Sequence, residues 1–174
     1  MRFVLTDRSD AMIRIKDFIG QSPIHPVLLI IGKAAFLVSL FFFPLKMTGS
    51  FLMMYDGRLT STIGIIMTAA GFCLILTALL HLGESVAVGI PDRKTVLKTR
   101  GLYNFTRNPI YLSGFLMCSG SCLFAVHWIN FVSFTAAVVI HHAIIKKEEE
   151  FLEKTFGSEW LEYKKRVPRY LIFL

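Results

Sequence analysis

Residues Ser61–Leu82 read STIGIIMTAAGFCLILTALLHL, a run without a single Asp, Glu, Lys or Arg. A helix that crosses ~30 Å of hydrocarbon, rising about 1.5 Å per residue, needs about 20 predominantly apolar residues. The run meets that requirement and is a membrane span. Three more stretches have the same character: residues 26–45, apolar except for Lys33, then 109–126, then 128–145. The third and fourth are separated by almost nothing around His127, which predicts a tight antiparallel hairpin. Only 18% of the chain is charged, against about 25% in soluble domains, and those charges are clustered. The fold expected is an all-α integral membrane protein with about four transmembrane helices and a cytoplasmic C-terminal helix.

Orientation follows from where the basic residues fall. Sixteen Lys and Arg lie before Pro26, between residues 83 and 108, or from Lys146 onward, against two in the 46–60 loop and none at the 127 turn. Short loops rich in Lys and Arg stay in the cytoplasm, so both termini and the 83–108 connection are expected there. Lys33 is near enough to the inner end of its span to snorkel. The formal net charge of +7 is thus a membrane-surface feature. No nucleic-acid-binding motif accompanies it. Residues 1–25 lack the apolar core of a signal peptide and read as an amphipathic segment on the membrane. The membrane expected is a bacterial inner membrane or an endoplasmic reticulum.

Cys73, Cys118 and Cys122 all sit in apolar runs, with neither a disulfide framework nor metal-ligand spacing. Gly114, Cys118 and Cys122 recur every four residues. With Gly64, Gly71 and Ala78 on the second span, they are small residues that let helices approach closely. His81 and Glu84 lack a third partner, and the adjacent His141 and His142 point to different faces, so no metal site is expected.

Chemistry must come from the two polar segments, 83–108 and 146–174, assembled against the helix ends in one membrane-embedded domain spanning residues 1–174. In Thr99-Arg-Gly-Leu-Tyr-Asn-Phe-Thr-Arg-Asn-Pro-Ile-Tyr111, the Asn108-Pro109 pair starts a helix, with Asn as cap and Pro at the first position. Amides there suit an anion such as a carboxylate, and Arg107 supplies a bidentate partner for it. Tyr103 and Tyr111 offer aromatic faces to a cation or an adenine. An ordinary capped interfacial helix fits the same residues. Lys146-Lys-Glu-Glu-Glu150 follows the fourth span without Pro or Gly, so that helix continues out of the membrane. Glu148 and Glu149 border its apolar face, where a carboxylate is costly without a partner; a solvated charge cluster is the alternative. Phe156-Gly157-Ser158 stops one helix and restarts another. The basic tail after it suits lipid headgroups, or Arg166 a substrate carboxylate.

Taken in order, Gly101-Leu-Tyr103, Arg107-Asn-Pro-x-Tyr111, Glu148-Glu149, Phe156-Gly-x-x-Trp-x-x-Tyr163 and Arg166-Val-Pro168 resemble the isoprenylcysteine carboxyl methyltransferase and phospholipid methyltransferase superfamily. The resemblance covers roughly the C-terminal 90 residues, and the Leu82-Gly-x-Ser stretch before it is also similar. It implies S-adenosylmethionine as methyl donor, contacted by Gly101, Tyr103, Arg107, Asn108, Pro109, Tyr111 and Glu148. Glu149 would stand close by as a candidate base for an amine acceptor, and Arg166 would orient an acceptor carboxylate. The family's usual residue before the Pro is His; Asn108 keeps the cap but cannot titrate near neutral pH. The implied acceptor is lipophilic, a prenylated cysteine or a lipid, entering sideways from the bilayer. Membrane sterol reductases that use NADPH look similar at the C-terminus. A non-catalytic four-helix scaffold with a lipid-binding tail is the reading outside enzymology.

Overall fold

The structure, a computed structural model, describes residues 25–49, 53–82 and 97–171. The expected N-terminal amphipathic segment before His25, the 83–96 part of the polar connection with its Gly-x-Ser, and residues 172–174 lie outside the described residues.

Among the described residues, five α-helices carry the fold: α1 (Pro26–Met47), α2 (Arg58–Leu82), α3 (Pro109–Phe124), α4 (Trp128–Phe156) and α5 (Ser158–Arg166), with a 3-10 turn at Gly101–Asn104 before α3. Among the described residues there is no strand, only an isolated antiparallel bridge between Tyr55 and Val126. Helices α1, α2 and α4 are each long and apolar enough to cross a membrane. Helix α3, read from the sequence as running to residue 126, stops at Phe124 after 16 residues, about 24 Å of helix. Its end is fixed from a distance. Lys46 Nζ donates to the Phe124 carbonyl at 2.7 Å, to Asp56 at 2.6 Å and to Ser61 at 2.8 Å, and Met54 N–H donates to the Val126 carbonyl.

Three residues, Ala125–His127, join α3 to α4, as expected of a tight hairpin. The two helices nevertheless find their main partners elsewhere: α3 lies along α2, and α4 along α1. Between α2 and α3 the backbones nearly touch. A Cβ on Gly64 would stand 2.6 Å from the Gly120 carbonyl oxygen, and one on Gly120 would stand 2.6 Å from the Gly64 carbonyl oxygen. Small residues drive such approach because lipid offers no hydrophobic incentive for helices to associate. On another face of α3, Gly114 meets the Phe36 ring and Cys118 Sγ lies 4.0 Å from the Phe36 carbonyl, so the four-residue stripe faces α1.

Polar side chains tie the same bundle inside the apolar region. Ser39 donates to Asn130 Oδ1 at 2.8 Å, Ser121 donates to the Ser39 carbonyl at 2.6 Å, and Asn130 Nδ2 donates to the Ser121 and Ala125 carbonyls, each at 3.1 Å. All three side chains are fully buried and satisfied, as low-dielectric surroundings require.

Helix α4 is 29 residues long, about 43 Å, which exceeds the hydrocarbon thickness. The length beyond one crossing corresponds to its charged end from Lys146. The chain reverses at Gly157, and α5 returns alongside. Trp160, Tyr163 and Val167 bury against Leu97, Leu152 and Phe156. This return brings the tail, 164–170, back to the start of α3.

Candidate active site

The polar centre forms where three pieces of chain meet: the turn Thr106–Asn108 before α3, the projecting end of α4, and the tail after α5. Glu149 is its hub. Arg107 grips it with both arms of the fork, Nε to Oε1 at 3.1 Å and Nη2 to Oε2 at 3.2 Å. Arg169 donates to Oε2 through Nε at 3.1 Å and Nη2 at 2.8 Å, and Asn108 Nδ2 donates to Oε1 at 3.1 Å. The Arg107 and Glu149 side chains are 6% and 5% exposed. Burial alone raises a carboxyl's pKa, but here the hydrogen bonds from Arg169 and Arg107 and their charges outweigh it and hold Glu149 below its usual range.

The remaining arm of Arg107, Nη1, donates to the carbonyls of Lys164 at 3.2 Å and Val167 at 2.7 Å, and its guanidinium lies 5.9 Å from the Trp160 ring. The external anion that the sequence suggests for this guanidinium is therefore replaced by an internal one, and the bidentate geometry serves folding. The turn and tail are stitched further. Arg107 N–H donates to the Pro168 carbonyl at 2.9 Å, Thr106 Oγ1 donates to the Arg169 carbonyl at 2.9 Å, and Asn108 Nδ2 reaches the same carbonyl at 3.3 Å. Asn108 makes no capping bond to α3, because its amide is turned toward Glu149. Pro109 holds the first helical position as expected.

Glu148, one residue earlier, faces elsewhere. Its Oε1 accepts one bond, from the Tyr111 hydroxyl at 2.9 Å, and the side chain is partly buried. Burial pushes its carboxyl up, to about 7, with a lesser contribution from the Glu149 charge and a lowering one from Tyr111. A carboxylate has room for about four hydrogen bonds; most of that capacity is free here among the described residues. The Tyr111 ring is 5.9 Å from the ring of His141, so Tyr111 joins α3 to α4 through both its ring and its hydroxyl.

The other expected site residues divide. Tyr103 is buried rather than displayed; its carbonyl accepts the Tyr163 hydroxyl at 2.7 Å. Gly101 has φ +66 and sits against the His81 ring, where any side chain would collide, so it joins the connection to the end of α2. The Arg166 side chain is exposed and makes no hydrogen bond or ion pair among the described residues. Sequence reasoning placed Arg169 only in the basic, reductase-like tail and passed over Tyr170. The Tyr170 hydroxyl meets His142 Nδ1 at 2.8 Å, and its ring meets Phe115 edge-on at 6.1 Å, so the tail bridges α3 and α4. The signal available for both was their place directly after Val167-Pro168.

A family model for phospholipid methyltransferase matches residues 59–159, more than half of the chain. The chain belongs to the phospholipid methyltransferase family. Among individual proteins, it is 33% identical over 118 residues to the protein-S-isoprenylcysteine O-methyltransferase of Homo sapiens, an alignment covering 66% of this chain and 42% of that protein. It is 34% identical over 115 residues to protein-S-isoprenylcysteine O-methyltransferase B of Arabidopsis thaliana, covering 62% and 57% respectively. The chain thus spans less than two thirds of the length of the curated relatives it matches. The family match includes α2, the turn, α3 and all of α4. It ends at residue 159, before the tail that carries Arg166 and Arg169.

Proposed function

We propose that this single membrane-embedded unit transfers a methyl group from S-adenosylmethionine to a lipophilic acceptor, an isoprenylcysteine carboxylate or a lipid amine, at the cytoplasmic membrane face. The observation that carries the proposal is the Tyr111–Glu148 pair. It is a partly buried carboxylate with acceptor capacity to spare, bonded to Tyr111 where the start of α3 meets the charged end of α4, inside the region matched by a methyltransferase family. The division of Lys and Arg, sixteen in the termini and the 83–108 connection against two in the 46–60 loop, supports the orientation.

The donor set fits the cofactor. S-adenosylmethionine supplies a methyl group on a sulfonium, and the carbon–sulfur bond breaks as the bond to the acceptor oxygen or nitrogen forms. Glu148 complements that positive charge and accepts hydrogen bonds from hydroxyls; Tyr111 fixes the carboxylate and offers a face to the cation. The Asn108-Pro109 turn starts the helix that carries Tyr111, and Arg107 holds that turn through Glu149. The protein's main contribution to a displacement of this kind is positioning and exclusion of water. A carboxylate acceptor loses no proton and needs a cation to orient it. Arg166 suits that task, because Arg107 and Arg169 are already engaged by Glu149. An amine acceptor must lose a proton. Glu149, ion-paired and covered by three donors, is unsuited to take it, and Glu148 replaces it as the base.

Calorimetric titration of detergent-purified protein tests the proposal. S-adenosylhomocysteine is expected to bind saturably, and Glu148→Gln to weaken binding of the sulfonium donor about tenfold or more. Because the free Glu148 carboxyl is protonated below about 7 and only its ionised form attracts the sulfonium, donor affinity should rise between pH 6 and 8 and level off above. Glu148→Gln should flatten that rise. Saturable NADPH binding in place of S-adenosylhomocysteine binding would move the chain to reductase chemistry. Binding of neither would leave the scaffold in front.

A further inference from the structure

We propose that Arg169 is a positioning residue for the donor site: through Glu149 it clamps the Thr106–Asn108 turn, and so sets the start of α3 from which Tyr111 reaches Glu148. The proposal rests on the methyltransferase reading for what the turn serves, but not for the clamp itself. Four observations carry it. Glu149 receives two bonds from Arg169 on one oxygen, and bonds from Arg107 on both, so a single buried carboxylate joins the turn to the tail. Asn108 Nδ2 bridges Glu149 Oε1 and the Arg169 carbonyl, placing the same residue in both halves of the clamp. Thr106 Oγ1 donates to the Arg169 carbonyl and accepts from Asn108 N–H at 3.2 Å, so the backbone at Arg169 also shapes the turn. Finally, Tyr111 stands on the first turn of α3, three residues beyond Asn108, while Glu148 is the neighbour of Glu149 on α4. Displacing Glu149 therefore disturbs both members of the pair. Arg169 itself makes no bond to Glu148 or Tyr111 and acts only through others.

The charge of Arg169 is not sufficient for this role. A guanidinium delivers two parallel N–H groups in a fixed plane, whereas a lysine ammonium is a point charge on a flexible stem. Arg169→Lys thus separates a clamp from a general electrostatic or lipid-binding role, and Arg169→Met removes both charge and fork. The whole chain in detergent is compared by amide hydrogen exchange over residues 104–111, by S-adenosylhomocysteine titration and by thermal unfolding. Expected for Arg169→Lys is about tenfold faster exchange in the turn and about tenfold weaker ligand binding, with the unfolding midpoint nearly that of the parent. Arg169→Met should do more in each. Lys165→Met, which removes a nearby exposed charge, should change neither exchange nor affinity. Turn exchange in Arg169→Lys equal to the parent would overturn the clamp. So would faster exchange with unaltered affinity in a parent that binds the ligand, since the turn would then not serve the donor site. A parent that fails to bind S-adenosylhomocysteine would sink the methyltransferase reading and with it the positioning role, whereas the exchange result would still decide whether the clamp exists.

Discussion

Glu149→Ala should destabilise the folded protein by ~3–5 kcal/mol, the usual consequence of deleting one partner from a buried ion pair. The size follows from what is left behind. Arg107 is 6% exposed at its side chain and would lose both bonds of its fork. Its third nitrogen would still be held by the Lys164 and Val167 carbonyls, so it could not swing into solvent. Arg169, 21% exposed, would lose all its side-chain bonds to the carboxylate. Two uncompensated cations would then face each other around an empty position. Unfolding in a graded mixture of mild detergent and dodecyl sulfate measures the loss, with Glu150→Ala as comparison. Glu150 pairs with Lys147, but both are about half exposed, and such surface pairs contribute about 0–1 kcal/mol. Equal unfolding curves for the two variants would mean that the hub does not hold the fold.

The second large effect belongs to the membrane interior. Gly64→Ala places a methyl group 2.5 Å from the Phe124 amide nitrogen and 2.6 Å from the Gly120 carbonyl oxygen. Both are backbone atoms, so neither can rotate away. Helices α2 and α3 must part, and overpacking of this kind costs about 1–3 kcal/mol or more. The matching substitution, Gly120→Ala, meets the Gly64 carbonyl oxygen and the Thr68 backbone nitrogen at the same 2.6 Å, and should cost a similar amount. Ile66→Ala serves as control, because Ile66 is 61% exposed on the outer surface of α2, where lipid fills the space. In the same unfolding assay the two glycine variants should both fall well below the parent while Ile66→Ala stays close to it. If Gly64→Ala behaves like Ile66→Ala, the close approach of α2 and α3 is not a feature of the folded protein.

The spans were legible because hydrocarbon leaves the sequence little freedom: an uncharged run such as Ser61–Leu82 has one sensible reading. The same holds for α4 running on past Ile145, where nothing breaks the helix, and for its stop at Gly157. The early end of α3 was not legible. It depends on Lys46, 78 residues away, reaching the Phe124 carbonyl, and local sequence carries no trace of that contact. The site divides in the same way. The Asn-Pro start of α3 was visible, and so was the need of two carboxylates at an apolar border for partners. What the sequence could not say was which carboxylate met which partner. Glu148 and Glu149 are adjacent, so about 100° of helix rotation separates them. That rotation sends one to Tyr111 and the other to a pair of arginines lying 42 residues before it and 20 after it. Arg169 looked like one more member of a basic run, and only the return of α5 to the turn distinguishes it from Lys165 or Arg166.

The most direct measurement of the central claim is transfer of an isotope-labelled methyl group. Membranes containing the protein are supplied with methyl-labelled S-adenosylmethionine and with either a farnesylated cysteine or vesicles of phosphatidylethanolamine, then extracted into organic solvent. Label should enter the organic phase with one of the acceptors, above membranes lacking the protein, and Glu148→Gln should reduce it about tenfold or more while leaving the protein folded. Label no higher than in membranes without the protein for either acceptor, or undiminished transfer by Glu148→Gln, would contradict the account.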